Sequence, residues 1–306
     1  VKILMTGGGG FLGQYVQAEA KANKHDFDSF DITSGHDILD RDSFYLKCST
    51  DKPDVIIHAA AIADLYKSEE NLDKNFNINV LGTYYIARIC SILNIPLIYI
   101  STCCAYGNQS ADWMIDETIE PIPTESYAWS KLAGEKAIGC AGPIRGFILR
   151  LGTFYGPGMR AALFNARVII HALSDEPIDI HGDGEQTRRY IHVADVATAI
   201  IKFCEKINKP VVFVPNNPLP VFNVIGEEEI SVNDTLDIVQ ELTRKKLSVR
   251  YCPQREGQIM RQRIACSAAK AFTDWEPKIN YKDGMQSCID WYWKDDDGSK
   301  PDNHNA

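Results

Sequence analysis

Apolar residues in the first half of this chain come in short dense runs. Between the runs they recur every three or four positions. Val1-Lys2-Ile3-Leu4-Met5 is the first run and predicts a buried strand; Phe27 to Ile32, Asp54 to His58, Pro96 to Ile100 and Phe147 to Leu151 repeat it. Phe11, Leu12, Tyr15 and Val16 mark one helical face, and further helices are expected over 41–50, about 71–93 and 127–141. Strands alternating with helices over 1–150 predict an α/β fold with a doubly wound parallel sheet. Beyond Gly156-Pro157-Gly158 the alternation loosens into helices, short strands and turns such as His181-Gly182-Asp183-Gly184-Glu185.

The first strand runs into Thr6-Gly7-Gly8-Gly9-Gly10-Phe11-Leu12-Gly13. An apolar strand, then glycines, then a helix is a dinucleotide-binding turn, because bare backbone lets a pyrophosphate approach the helix N-terminus. The run fits both G-x-G-x-x-G (Gly8, Gly10, Gly13) and G-x-x-G-x-x-G (Gly7, Gly10, Gly13), so the register stays open. Asp31 follows at the end of the second strand, where a carboxylate accepts ribose hydroxyls of NAD and repels the 2′-phosphate of NADP. Asp37-Ile38 lies where an adenine fits, and Ala59-Ala60-Ala61 offers small residues for a close ligand approach. His58 ends its strand and reads as structural. The sheet is therefore Rossmann-type. We expect a mainly NAD-binding domain over 1–158 and a smaller C-terminal substrate-binding lobe over 159–293 with some return to the first sheet. Residues 294–306 read as a polar, disordered tail.

Tyr127 and Lys131 are four apart, one turn along a helix face. A phenol keeps its proton to about pH 10. An ammonium beside it favours the phenolate, which makes the pair a proton-transfer device. Ser101 and Thr102 end the fourth strand, on the side where such sheets bind ligands.

Composition narrows the classes. The 306 residues are 45% hydrophobic and 24% charged, as in a globular chain. A net charge of −9 argues against a nucleic-acid surface. No apolar run approaches the roughly 20 residues of a membrane span, and no secretory leader is visible. Nine cysteines lack metal-binding spacing, so no metal is expected, and reduced thiols fit a cytoplasmic protein.

Taken in order, Thr6 to Gly13, Asn79 to Thr83, Thr102 to Gly107 and Tyr127 to Lys131 resemble the extended short-chain dehydrogenase/reductase family. Within it the likeness is to NAD-dependent nucleotide-sugar epimerases and dehydratases of the UDP-glucose 4-epimerase kind. It continues through Leu149 to Gly158, Gly182 to Arg188, His192 to Ala197, Pro253 to Gly257 and Trp275-Glu276-Pro277. The resemblance implies that Tyr127 is the acid/base, that Lys131 binds the nicotinamide ribose and lowers the tyrosine pKa, and that Thr102 hydrogen-bonds the reacting oxygen. It assigns NAD to Gly7, Gly10, Phe11, Leu12, Asp31, Asp37 and Ile38, with Ala60 beside them. Arg188 and Arg255 would grip the nucleotide diphosphate of a nucleotide-sugar substrate. Thr153 stands where many epimerases have a substrate-binding Asn, and Arg189 replaces the common Asp after Arg188.

Cys103 and Cys104 stand where the similar 4,6-dehydratases carry an acidic residue, which argues against dehydration. Cys104 matches a working cysteine of GDP-fucose synthase-like enzymes, a candidate second acid/base, although a small buried cysteine is the plainer reading. The expected activity is epimerisation, most simply at C4, through a transient keto-sugar. Reduction of a 4-keto sugar nucleotide and a non-catalytic dinucleotide sensor are the alternatives. The family pairs two helices per subunit into homodimers, here 71–93 and 127–141.

Overall fold

A computed structural model describes residues 1–109, 113–211, 217–254 and 260–296. Strand β1 (Lys2–Thr6) is followed by α1 (Phe11–Ala22), β2 (Asp26–Phe30), α2 (Arg41–Asp51) and β3 (Val55–His58). Then come α3 (Leu65–Glu70), α4 (Leu72–Phe76), α5 (Thr83–Leu93), β4 (Leu97–Thr102), α6 (Ser126–Cys140) and β5 (Gly146–Leu151). These strands build a six-stranded sheet in the order β2-β1-β3-β4-β5-β9, with every neighbouring pair parallel. Its last member, β9 (Val221–Val224), returns from the second half of the chain.

Burial explains the dense apolar runs. Strands covered on both faces need no polar alternation, and all residues of β3, β4 and β9 are buried. One core cluster gathers Ile3, Met5, Val16 and Ile57 with Leu149 and Phe203. Another gathers Leu4, Phe30, Phe44, Ile56, Ile86 and Tyr99. Successive residues of β1 thus feed opposite faces, as strand geometry requires.

The second half carries β6 (Thr153–Tyr155), α7 (Phe164–Ser174), β7 (Ile178–His181), β8 (Thr187–His192) and α8 (Val193–Glu205). After β9 come β10 (Glu229–Ser231), α9 (Val232–Thr243), β11 (Val249–Cys252), α10 (Ser267–Thr273) and α11 (Tyr281–Asp296). A three-stranded sheet β10-β8-β6 and a β11-β7 pair form a lobe with its own core of Tyr155, Ile169, Ile180, Leu236 and Met285. None of the nine cysteines is paired with another. Among the described residues no helix is long and apolar enough to cross a membrane, and no cluster of three or more His, Cys, Asp or Glu could hold a metal.

Three boundaries differ from expectation. Strand β2 stops at Phe30, because the Asp31 carboxylate caps a 3₁₀ turn (Ile32–Ser34) by accepting from Thr33 N at 2.9 Å. The helix expected over 71–93 contains a π-helical turn at Asn77–Gly82. Helix α11 runs on to Asp296, past the expected start of the tail, and residues 297–306 lie outside the described ones.

Candidate active site

The glycine turn is closely packed at Gly7, Gly8 and Gly13. Gly7 has φ +73° and packs so closely on the chain after β3 that a Cβ would sit 2.7 Å from Ala60 N. Gly10 N-caps α1 and donates its N–H to Gly7 O at 3.2 Å. A Cβ on Gly13 would meet Gly8 O at 2.3 Å. Turn, helix start and close packing therefore fall on Gly7, Gly10 and Gly13. No side chain caps the N-terminus of α1, which leaves its first backbone N–H groups to the crevice.

Asp31 is buried beside this turn, its Oδ2 accepting from Gly9 N at 3.0 Å and its Oδ1 from Thr33 Oγ1 at 2.7 Å. Burial works to raise its pKa, but the hydrogen bonds from Thr33 and Gly9 outweigh it and hold the carboxylate below its ordinary value. The acid thus stays ionised at the place a dinucleotide ribose would reach. Ile38 is buried and would meet a Cβ on Gly82, whereas Asp37 is exposed and accepts from Leu39 N at 2.9 Å. Leu12 belongs to the core, and half-buried Phe11 stacks on Phe154 with ring centroids 5.9 Å apart. Ala60 is half-buried, its N–H reaching Thr6 Oγ1 at 3.3 Å. An uncapped helix start, a turn packed too closely for a Cβ at Gly7 and Gly13, and an ionised acid beside it fit a dinucleotide.

Thr102 ends β4, buried, and its Oγ1 accepts from Cys104 N at 3.1 Å at the start of a 3₁₀ turn (Cys103–Tyr106). Tyr127 and Lys131 stand one turn apart on α6, which packs on β4 and on that turn. The cap of α6 comes from outside: Glu69 of α3 accepts from Ser126 N at 3.1 Å and from Ser126 Oγ at 2.5 Å. Burial, with the nearby Cys104, pushes Tyr127 above its ordinary pKa, against a Thr102 hydrogen bond and the Arg160 charge. The Lys131 Nζ lies over the Tyr99 ring, 4.3 Å from the centroid, and makes no hydrogen bond among the described residues.

Burial pushes Lys131 down to about 7, with Glu135 pulling the other way. A lysine that loses its proton more easily folded than unfolded penalises the folded state below its folded pKa. That penalty is relieved as pH rises from about 7 towards the ordinary lysine value of about 10.4. The stability of the wild type relative to Lys131→Met should therefore climb with pH across that window, measured by urea melts. A difference that stays flat with pH would contradict the burial of a titrating amine.

His58 is a strut. Its ring nitrogens meet Thr6 Oγ1 at 2.7 Å and Thr83 Oγ1 at 2.9 Å, and burial, aided by the Lys131 charge, pushes it to about 3, so it stays neutral. Asn79, in the π-turn, is a hub that sequence spacing did not reveal. Its Nδ2 lies within hydrogen-bond distance of Ile62 O, Asn75 Oδ1 and Ser130 Oγ, and its Oδ1 accepts from Ile62 N. It thereby ties the chain after β3 to α6.

On the lobe side, Arg188 of β8 donates from Nη1 to Thr187 O at 2.7 Å and lies close enough to Cys104 and Glu125 to feel their charge. Thr153 opens β6 and is exposed. Arg189 turns elsewhere, donating to Ile264 O at 3.1 Å. Arg255 lies outside the described residues. Cys104 is half-buried beside Thr102, with a thiol that burial pushes up. Cys103 is fully buried and donates to Arg150 O at 3.2 Å. Sequence reasoning also passed over Glu125, Asp64 and Arg160, whose partners are remote in the chain.

The site thus combines a glycine turn at the end of β1, a hydroxyl at the end of β4, and a phenol and a lysine on the helix that packs against β4. Residues 3–214 match the profile of the NAD dependent epimerase/dehydratase family, and the chain belongs to that family. A Methanocaldococcus jannaschii protein provisionally named a UDP-glucose 4-epimerase is 28% identical over 94% of this chain and 97% of its own. The solved UDP-glucuronic acid 4-epimerase of Bacillus cereus, in complex with UDP-glucuronic acid and NAD, superposes with a TM-score of 0.84. It is 25% identical, and the match covers 96% of this chain and 99% of that one. The UDP-glucose 4-epimerase of Thermotoga maritima, with UDP-glucose, gives a TM-score of 0.85 at 24% identity over 96% and 99% of the two chains. The cofactor of the family is NAD, and the residues described above fit it.

Proposed function

We propose that this protein is an NAD-dependent nucleotide-sugar epimerase acting at C4 through a transient keto-sugar. What supports this reading is the nearness of the Tyr127 phenol to Thr102, with Lys131 one turn further along the same helix. NAD, when bound, supplies the hydride acceptor. Tyr127 takes the proton of the sugar 4-hydroxyl and later returns it, Thr102 holds that oxygen, and Lys131 orients the nicotinamide ribose. In this reading Phe11, Leu12, Asp31, Asp37, Ile38 and Ala60 serve the dinucleotide, and Arg188 and Thr153 the nucleotide sugar, a role the family resemblance gives to Arg255 as well. Inversion requires only that the keto-sugar turn over before the hydride returns, so NAD emerges unchanged. The 4-epimerase names among the relatives support the carbon. Burial raises the pKa of both thiols beside Thr102.

The test is to identify the cofactor released on denaturation and then screen UDP-, dTDP-, GDP- and CDP-sugars without added cofactor. NAD together with a 4-epimer supports the reading. Turnover only of 4-keto sugars with added NADH or NADPH would replace it with the reductase alternative.

We also propose a homodimer in the cytoplasm, the second point resting on nine unpaired thiols. Leu72, Phe76, Leu81 and Ile92 on the α4–α5 stretch and Trp129 on α6 are exposed, an apolar display on packed helices. Sedimentation should give twice the 34.3 kDa of one chain. Replacing Phe76 and Trp129 together by Glu should give the monomer mass. A wild-type monomer would contradict the pairing.

A further inference from the structure

Two segments border the cofactor crevice, each firmly held. Beyond β3, residues 59–64 are fixed to β1 by Ala59 N on Thr6 O at 3.2 Å, and to the π-turn by the paired hydrogen bonds of Ile62 with Asn79. Beyond β6, residues 157–160 are fixed to the dinucleotide helix by Tyr15 Oη on Pro157 O at 2.8 Å. They are fixed to α11 by Tyr292 Oη on Met159 O at 2.6 Å. The first segment belongs to the nucleotide-binding sheet and the second to the lobe. Their side chains meet where Arg160 Nη1 stands 2.6 Å from Asp64 Oδ2. Both groups are only partly exposed, and the Arg160 charge reaches Tyr127. The bridge therefore joins the segment packed on Gly7 to the segment bonded to α1, close to the phenol of Tyr127.

We propose that Asp64 and Arg160 are positioning residues that clasp the cofactor crevice, so that NAD leaves only when this ion pair opens. The inference rests on the reading that NAD is recycled in place, since such an enzyme gains from slow release. A charge-assisted hydrogen bond between anchored segments holds them together without touching the chemistry, and its partial exposure leaves it sensitive to salt.

The experiment loads purified protein with NAD, dilutes it, and follows free NAD against time. Asp64→Asn and Arg160→Gln should each release NAD about tenfold faster than wild type, the equivalent of about 1.4 kcal/mol. The charge-swapped double variant, Asp64→Arg with Arg160→Asp, should return to within about threefold of the wild-type rate. Release from the wild type should quicken as salt rises from about 0.05 to about 0.5 M, which tests the clasp even if a variant fails to fold. Single variants that release NAD at the wild-type rate, a swap no slower than the singles, or release indifferent to salt would each overturn the clasp. A wild type that epimerises with retained NAD while its variants release no faster sinks the clasp alone. A wild type that neither holds NAD nor epimerises sinks the recycling reading beneath it.

Discussion

Replacing Tyr127 by Phe should lower turnover by about a thousandfold or more while leaving NAD bound, since the change removes one hydroxyl from the crevice. Positioned acid/base groups contribute about 10²–10⁴ in rate, and the described residues around the phenol offer no equal substitute. The neighbouring thiol of Cys104 is held protonated by burial, and His58 is neutral and committed to Thr6 and Thr83. Because burial holds Tyr127 itself above its ordinary pKa, wild-type activity should also rise with pH as the phenolate becomes accessible. Turnover of Tyr127→Phe close to that of the wild type would contradict the assigned mechanism. A sensor on this fold would show no turnover to lose, and its response to NAD would survive the change.

The largest effect on stability should come from Glu135, one turn beyond Lys131. Its carboxylate is fully buried, accepting from Arg150 Nε at 3.0 Å and Nη2 at 2.7 Å and from Ser101 Oγ at 2.6 Å. Arg150 is equally buried, lies 4.9 Å from the Tyr106 ring centroid, and has no partner for Nη1 among the described residues. This pair locks α6 onto β4 and β5, and so fixes Tyr127 and Lys131 relative to Thr102. Glu135→Ala leaves the Arg150 charge buried and uncompensated, at a cost of about 3–5 kcal/mol. That is a large share of the roughly 5–15 kcal/mol that holds a domain together. Glu135→Met with Arg150→Met removes both charges and should recover most of the loss. Urea melts of the three proteins decide it, and a single variant as stable as the wild type would contradict the account.

Much of this was legible in the chain because it is local. The turn from Thr6 to Gly13 and the Tyr127–Lys131 spacing each depend on residues within one or two turns of one another, and their periodicity and composition show directly. The π-turn at Asn77–Gly82 was hidden, because its apolar pattern continues that of an ordinary helix while the hydrogen bonding shifts. The partners that hold the site are hidden for another reason. Glu69 with Ser126, Asp64 with Arg160 and Glu135 with Arg150 lie 57, 96 and 15 residues apart, and no local pattern announces a charge pair formed by folding. The positive φ of Gly7 and the close packing of Gly13 are not carried by letters alone. The place of the Lys131 amine over the Tyr99 ring was also hidden, because spacing gives a shared face and not the direction of the amine.

The most direct test follows a hydrogen rather than a rate. UDP-glucose carrying deuterium at C4 would be incubated with the purified protein, with no cofactor added, and the product examined by NMR. An epimerase that returns its own hydride yields the 4-epimer with deuterium still at C4. Loss of the label to solvent, or its appearance in free NADH with no 4-epimer formed, would contradict internal return and with it the central claim.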